Sequence, residues 1–179
     1  MTALEAIGAE FPVAARPIRL NLTAVLGSGA LAASERWGVA IAVALASRSR
    51  RLAEALIASR PEEVSEKTVA DAVAAAALVG MSNVFYRFRH LIGKPSYAQK
   101  STRLRMHVAK PATTSAAFEL FSIAVSAVND CETCVRFHEA TLLELGTTED
   151  QIHDAIRIAS VVYGAAVALD STALTREQT

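Results

Sequence analysis

The chain has 179 residues, 52% of them hydrophobic and only 6% aromatic, with 36 alanines against eight glycines and five prolines. That balance favours closely packed helices over sheets and suits one domain able to bury its own core. Lys plus Arg equals Asp plus Glu at 18 each, so no global field recruits nucleic acid or an anionic membrane, and the high apolar content excludes intrinsic disorder.

The N-terminus carries Glu5 and Glu10 and then Pro12 and Pro17, without the basic start and apolar stretch of a signal peptide. No uninterrupted apolar run reaches the length of a membrane span, and a cytoplasmic location is expected. With a mean hydropathy of +0.30, such a chain is expected to cover part of its surface by oligomerisation.

In chain order, Trp37, Ala40, Ile41, Ala44 and Leu45 share a face and predict a helix over Leu31 to Ala46. A second covers Arg51 to Ser59 and stops before Pro61. Ser65, with Thr68 and Asp71 behind it, opens a long Ala-rich helix to about Tyr86. The tract Arg87 to Ala112 holds Gly93, Pro95 and Pro111 and reads as an irregular connection. Helices resume over Thr114 to Val128 and Cys131 to Leu145, and again after an N-cap at Thr147 or Thr148. The last carries Ile152, Ala155, Ile156, Ala159, Val162 and Ala166 as one stripe.

Laid against each other, the two halves show a weak internal repeat, about 31–86 against about 114–170 within a single domain 1–179. At an offset of 84 Glu35 falls on Glu119, and Ser47 and Arg50 stand where Cys131 and Cys134 stand. At 83, Val69, Asp71, Ala72, Val73 and Ala76 match Ile152, Asp154, Ala155, Ile156 and Ala159. Only the second copy keeps chemistry.

That chemistry lies between Glu119 and His138. Asn129 or Asp130 is a good N-cap, placing Cys131 and Cys134 in the first turn of a helix, where free N–H groups and the helix dipole favour a thiolate. Three residues apart, the two can form a disulfide, and His138, four residues past Cys134 on the same face, can exchange a proton with its sulfur. Glu119 lies before the break and needs tertiary packing to join them. A zinc site completed by Glu119 or His107 is the alternative, although structural zinc sites usually draw ligands from separated turns. His90 and His153 have no partner in the sequence and read as structural.

The set E-x(11)-C-x-x-C-x(3)-H from Glu119 to His138 stands with I-R-L-N-L at Ile18 to Leu22, W-G at Trp37 and G-M-S-N-V-F-Y-R at Gly80 to Arg87. With these flanks the chain resembles, over nearly its whole length, the alkyl hydroperoxide reductase D family. These are lipoyl-dependent alkylhydroperoxidases within the carboxymuconolactone decarboxylase-like group. The resemblance implies an all-α protomer, commonly a homotrimer, that reduces alkyl hydroperoxides in antioxidant defence. It also implies Cys134 as the peroxidatic sulfur passing through a sulfenic acid, Cys131 as the resolving one, and Glu119 and His138 as the proton relay. Implied partners are the peroxiredoxin alkyl hydroperoxide reductase C and a lipoyl-bearing 2-oxo acid dehydrogenase component. The dihydrolipoyl group is the implied electron donor, with no tightly bound cofactor. Some members carry a histidine directly before the second cysteine; here that position is Thr133, which cannot do acid-base work near neutrality.

No G-x-G-x-x-G fingerprint occurs, so electrons are expected from another dithiol. The span 72–118 has no Asp or Glu but seven Lys or Arg from Arg87 to Lys110, readable as a solvated or subunit-facing loop or as a dock for an acidic partner. A cofactor-independent decarboxylase or lactone-processing enzyme, or a zinc-stabilised interaction module, would be the rival functions.

Overall fold

The computed structural model describes residues 1–106 and 110–176, with side chains as far as Thr172. Within the described residues every regular element is helical. They are α1 (Ala3–Ala9), a 3-10 turn (Val13–Ala15), α2 (Arg16–Gly27), α3 (Ala33–Ala46), α4 (Arg50–Ser59) and α5 (Glu66–Ala74). A π-helical turn (Ala75–Val79) joins α5 to α6 (Gly80–Ile92) as one rod, followed by a short α7 (Pro95–Ala98), α8 (Ser115–Val128), α9 (Glu132–Glu144) and α10 (Glu149–Arg176).

The core sits where α3 and α8 cross, with α10 across both. Val39, Ile41, Val43, Phe121, Val125, Ile158 and Val162 are fully enclosed there. Alanine makes such close packing possible. At Gly38 a Cβ would lie 2.1 Å from Phe121 Cζ, so that crossing needs glycine.

Local signals mark the helix ends. Ser65 Oγ accepts the Thr68 N–H at 3.4 Å, Thr114 Oγ1 the Ala117 N–H at 3.1 Å, and Thr148 Oγ1 the Gln151 N–H at 3.3 Å. The helix expected to stop near Tyr86 continues to Ile92, because nothing breaks it before Gly93, which caps it at φ +61°. Part of the basic connection is therefore helical. Two N-terminal helices also went unanticipated, and Pro17 sits in the first turn of α2, where its missing N–H costs nothing.

Two carboxylates 83 positions apart tie the halves crosswise. Asp71 on α5 accepts the N–H groups of Ala112 at 3.0 Å and Thr113 at 2.7 Å, just before α8. Asp154 on α10 accepts the Ala30 N–H at 2.9 Å, just before α3. A Cβ on Gly29 would fall 2.1 Å from Asp154 Oδ2, so the chain must be bare there.

For the first helix pair the structural register is 82, not 84. Arg48 at φ +59° answers Asp130 at φ +54°, and Ser49, which precedes α4, answers Cys131, which precedes α9. Ser49 and Leu52, rather than Ser47 and Arg50, thus hold the positions of Cys131 and Cys134. Glu35 has a local role instead, accepting the Ala32 N–H at 2.9 Å.

By length and composition alone, Glu66–Ile92 and Glu149–Thr172 could each cross a membrane. Both contribute to the core, and the buried Asp71 and Asp154 on them serve the clasps described above.

Candidate active site

The end of α8 and the start of α9 place the site. The sequence pointed to Asn129 or Asp130 as the N-cap of α9. Asn129 instead closes α8, its N–H bonded to the Val125 carbonyl at 3.0 Å, and Asp130 takes the left-handed conformation that reverses the chain. Cys131 is itself the residue at the head of α9, its N–H donating to the Ser126 carbonyl at 3.1 Å. Cys134 follows at the third helical position. Both sulfurs thus stand at the positive end of the helix, with the dipole and free N–H groups that favour a thiolate.

The cysteines are bonded to each other, with Cα atoms 5.3 Å apart. Their surroundings differ. Cys131 is 1% exposed, whereas Cys134 is 6% exposed and lines a cavity of about 560 Å³. Phe118, Glu119 and Ser122 of α8 wall this cavity, together with Thr133, Phe137 and His138 of α9 and Val79, Ser82 and Tyr86 from the π turn and α6. Met106 and Pro111 close one side. Aromatic and aliphatic walls with a few convergent polar groups suit a small, largely apolar ligand.

Packing of α8 on α9 brings Glu119 to the pair. Its Oε2 lies 2.6 Å from His138 Nδ1, and both side chains are mostly buried. The carboxylate fixes the imidazole and engages Nδ1, leaving Nε2 as the ring nitrogen for proton exchange in the cavity that His138 shares with Cys134. Thr133 also reaches the cavity and is otherwise exposed.

All four residues singled out in the sequence therefore meet here. His90, read as unpartnered, lies 3.7 Å from Glu132, which also binds Arg136 at 2.8 Å. His153 is exposed. Among the described residues no three His, Cys, Asp or Glu side chains are grouped to hold a metal, and His107 lies outside the described residues.

Sequence reasoning missed a buried polar cluster behind the turn. Asn83 donates to Ser126 Oγ at 3.0 Å and accepts from Asn129 Nδ2 at 3.0 Å, while Arg87 donates to the Asn129 carbonyl at 2.6 Å. The run G-M-S-N-V-F-Y-R held the signal. Its Asn and Arg are one helical turn apart, on the face that meets α8.

The carboxymuconolactone decarboxylase family matches residues 95–177. An alkyl hydroperoxide reductase AhpD from Anaeromyxobacter dehalogenans is 56% identical over 95% of this chain and 92% of its own length. Proteins of the same name from Solibacter usitatus, 41% identical over 93% and 95%, and Streptomyces avermitilis, 39% identical over 98% and 99%, match as fully. The chain belongs to the alkyl hydroperoxide reductase AhpD family.

Proposed function

We propose that this protein is a cytoplasmic thiol peroxidase and disulfide reductase that removes alkyl hydroperoxides. The supporting observation is the 2.6 Å contact between Glu119 and His138 in the cavity that Cys134 lines. His138, held by Glu119, takes the Cys134 proton. The Cys134 thiolate attacks the outer peroxide oxygen; the O–O bond breaks, the alkoxide leaves and is protonated through His138, and Cys134 becomes a sulfenic acid. The Cys131 thiol then attacks that sulfur, releasing water and closing the disulfide.

A dithiol reopens the bond. Attack on Cys134, the sulfur that meets the cavity, makes a mixed disulfide and frees Cys131; a second attack within the reductant releases Cys134. The family resemblance selects dihydrolipoyl groups of a 2-oxo acid dehydrogenase component as donor and the peroxiredoxin alkyl hydroperoxide reductase C as a protein to be reduced. Lys94, Lys100, Arg103, Arg105 and Lys110 are exposed along the connection beside the cavity, a charge pattern that suits an acidic partner. The working assembly is a homotrimer.

The test begins with reduced protein. Two thiols per chain should titrate before an alkyl hydroperoxide is added and none after, with one equivalent of alcohol formed. Dihydrolipoamide should restore both, and lipoamide with its dehydrogenase and NADH should sustain turnover. Turnover on thioredoxin or glutathione but not on dihydrolipoamide would refute the lipoyl donor.

A further inference from the structure

The left-handed turn that delivers Cys131 exists twice in this protein, and one copy alone is wrapped in side-chain polar groups. In the first half the Ser49 N–H donates to the Ala44 carbonyl at 3.0 Å and the Ala53 N–H to the Ser49 carbonyl at 3.0 Å. In the second, the Cys131 N–H donates to the Ser126 carbonyl at 3.1 Å and the Val135 N–H to the Cys131 carbonyl at 2.9 Å. Among the described residues no side chain bonds the first turn, and the Ser47 and Ser49 hydroxyls are buried there without a partner. Backbone bonds alone therefore suffice to build this turn.

The second copy has Asn83, Asn129 and Arg87 around it. Asn83 is 1% exposed, and its amide holds Ser126 on one side and Asn129 on the other. Arg87 is half-buried, bonds the neutral Asn129 carbonyl two residues ahead of Cys131, and makes no ion pair among the described residues. Its guanidinium meets the negative, C-terminal end of α8 and has no carboxylate at ion-pair distance among the described residues, in surroundings where water screens it less than at the surface. The stretch of α10 that corresponds to Asn83, 82 or 83 residues on, offers only Ala165 and Ala166.

We infer that Asn83, Asn129 and Arg87 are positioning residues for the Cys131 sulfur: the amide pair sets the Asn129 carbonyl, that carbonyl seats the guanidinium, and the guanidinium stabilises the Cys131 thiolate. This deepens the proposed function and rests on Cys131 being the departing sulfur. When a reductant thiolate bonds Cys134, the Cys131–Cys134 bond breaks and Cys131 keeps its electron pair. The reductant's second thiolate then bonds the first reductant sulfur and releases Cys134, so two electrons have entered the protein. A stabilised Cys131 thiolate leaves faster and makes the disulfide more oxidising.

Other charges near this sulfur do not supply that role. Asp130 and Glu132 are its neighbours in the chain and carry the wrong sign. His90 on α6 and Arg136 on α9 are engaged with Glu132. Arg89 lies over the Phe85 ring at 4.5 Å, and Glu119 and His138 bind each other.

The experiment equilibrates full-length protein with a dithiothreitol redox buffer and reads the disulfide fraction by thiol tagging and mass spectrometry. Arg87→Gln should lower the equilibrium constant for reduction about tenfold, roughly 30 mV in potential, whereas Arg87→Lys stays close to the parent. Asn83→Ala should shift it in the same direction by less. In a Cys134→Ser background, Arg87→Gln should raise the midpoint of Cys131 thiolate absorbance and Arg87→Lys should restore it. Arg87→Met, which keeps the aliphatic stem, gives the same reading if the Gln variant does not fold. Variants that melt earlier with potential and midpoint unmoved would overturn the inference. So would a midpoint that moves for Cys134 alone, measured in a Cys131→Ser background. Neither readout uses peroxide or lipoyl groups, so failure here is distinguishable from failure of the peroxidase reading.

Discussion

Glu119 and His138 stand on separate helices, 19 residues apart, and meet at 2.6 Å across the break that carries the cysteines. The contact ties the helix before the turn to the helix after it. If it serves proton transfer, Glu119→Gln and His138→Gln should each lower peroxidase turnover by about 10² to 10⁴. Their melting temperatures should change little, since both substitutions keep the size of the side chain. Activity that falls only in proportion to folded protein, measured by calorimetry beside the kinetics, would remove the relay.

The two cysteines should separate cleanly in function. Cys134→Ser should abolish attack on peroxide. Cys131→Ser should spare that attack and strand a sulfenic acid on Cys134, detected by dimedone labelling and peptide mass spectrometry. The unequal burial, 1% against 6%, predicts this order, because only Cys134 lines the cavity. Label found on Cys131 alone, in the corresponding Cys134→Ser protein, would reverse it.

Crosswise clasps should matter to stability more than to chemistry. Asp71→Asn puts an amide NH₂ opposite either the Ala112 N–H or the N–H and hydroxyl of Thr113, leaving donors opposed in a buried place whichever way it turns. Loss of such charge-assisted bonds costs about 1.5–3 kcal/mol, which for a chain of this length is a fall of roughly 3–12 °C in Tm. Equal melting of the variant and parent in differential scanning calorimetry would show the clasp to be idle.

An exposed apolar surface remains on the single chain. Val84, Phe88 and Leu91 line one face of α6 at 64%, 45% and 77% exposure, and Phe137 stands at 60% beside the cavity mouth. Such surface favours association. Sedimentation equilibrium is expected to give a mass near three protomers, and a monomer throughout the micromolar range would count against the trimer.

Much of this was legible in the sequence because it is local. Periodic apolar residues and the caps Ser65 and Thr148 located their helices, the spacing of Cys131, Cys134 and His138 put three site residues on one helix, and the family resemblance added Glu119. What depended on tertiary contact was not legible. The repeat register slipped by two because Ala-rich segments resemble one another at neighbouring offsets, while the features that fix it are the left-handed Arg48 and Asp130, neither a glycine. The Asn83 cluster joins residues 43 and 46 positions apart, and His90 finds Glu132 only because α6 packs on α9.

The π turn at Ala75–Val79 fixes the rotational phase of everything on the rod beyond it. Each helical residue turns the chain by about 100°, and a π turn accommodates one extra residue without breaking the rod. Were the same residues wound as regular α-helix, the rod would stay almost equally long and apolar, yet Ser82, Asn83 and Tyr86 would swing by about 100° to another side of the helix. The cavity would lose part of its wall and the Cys131 turn its amide together, although none of the residues that make those contacts had been altered.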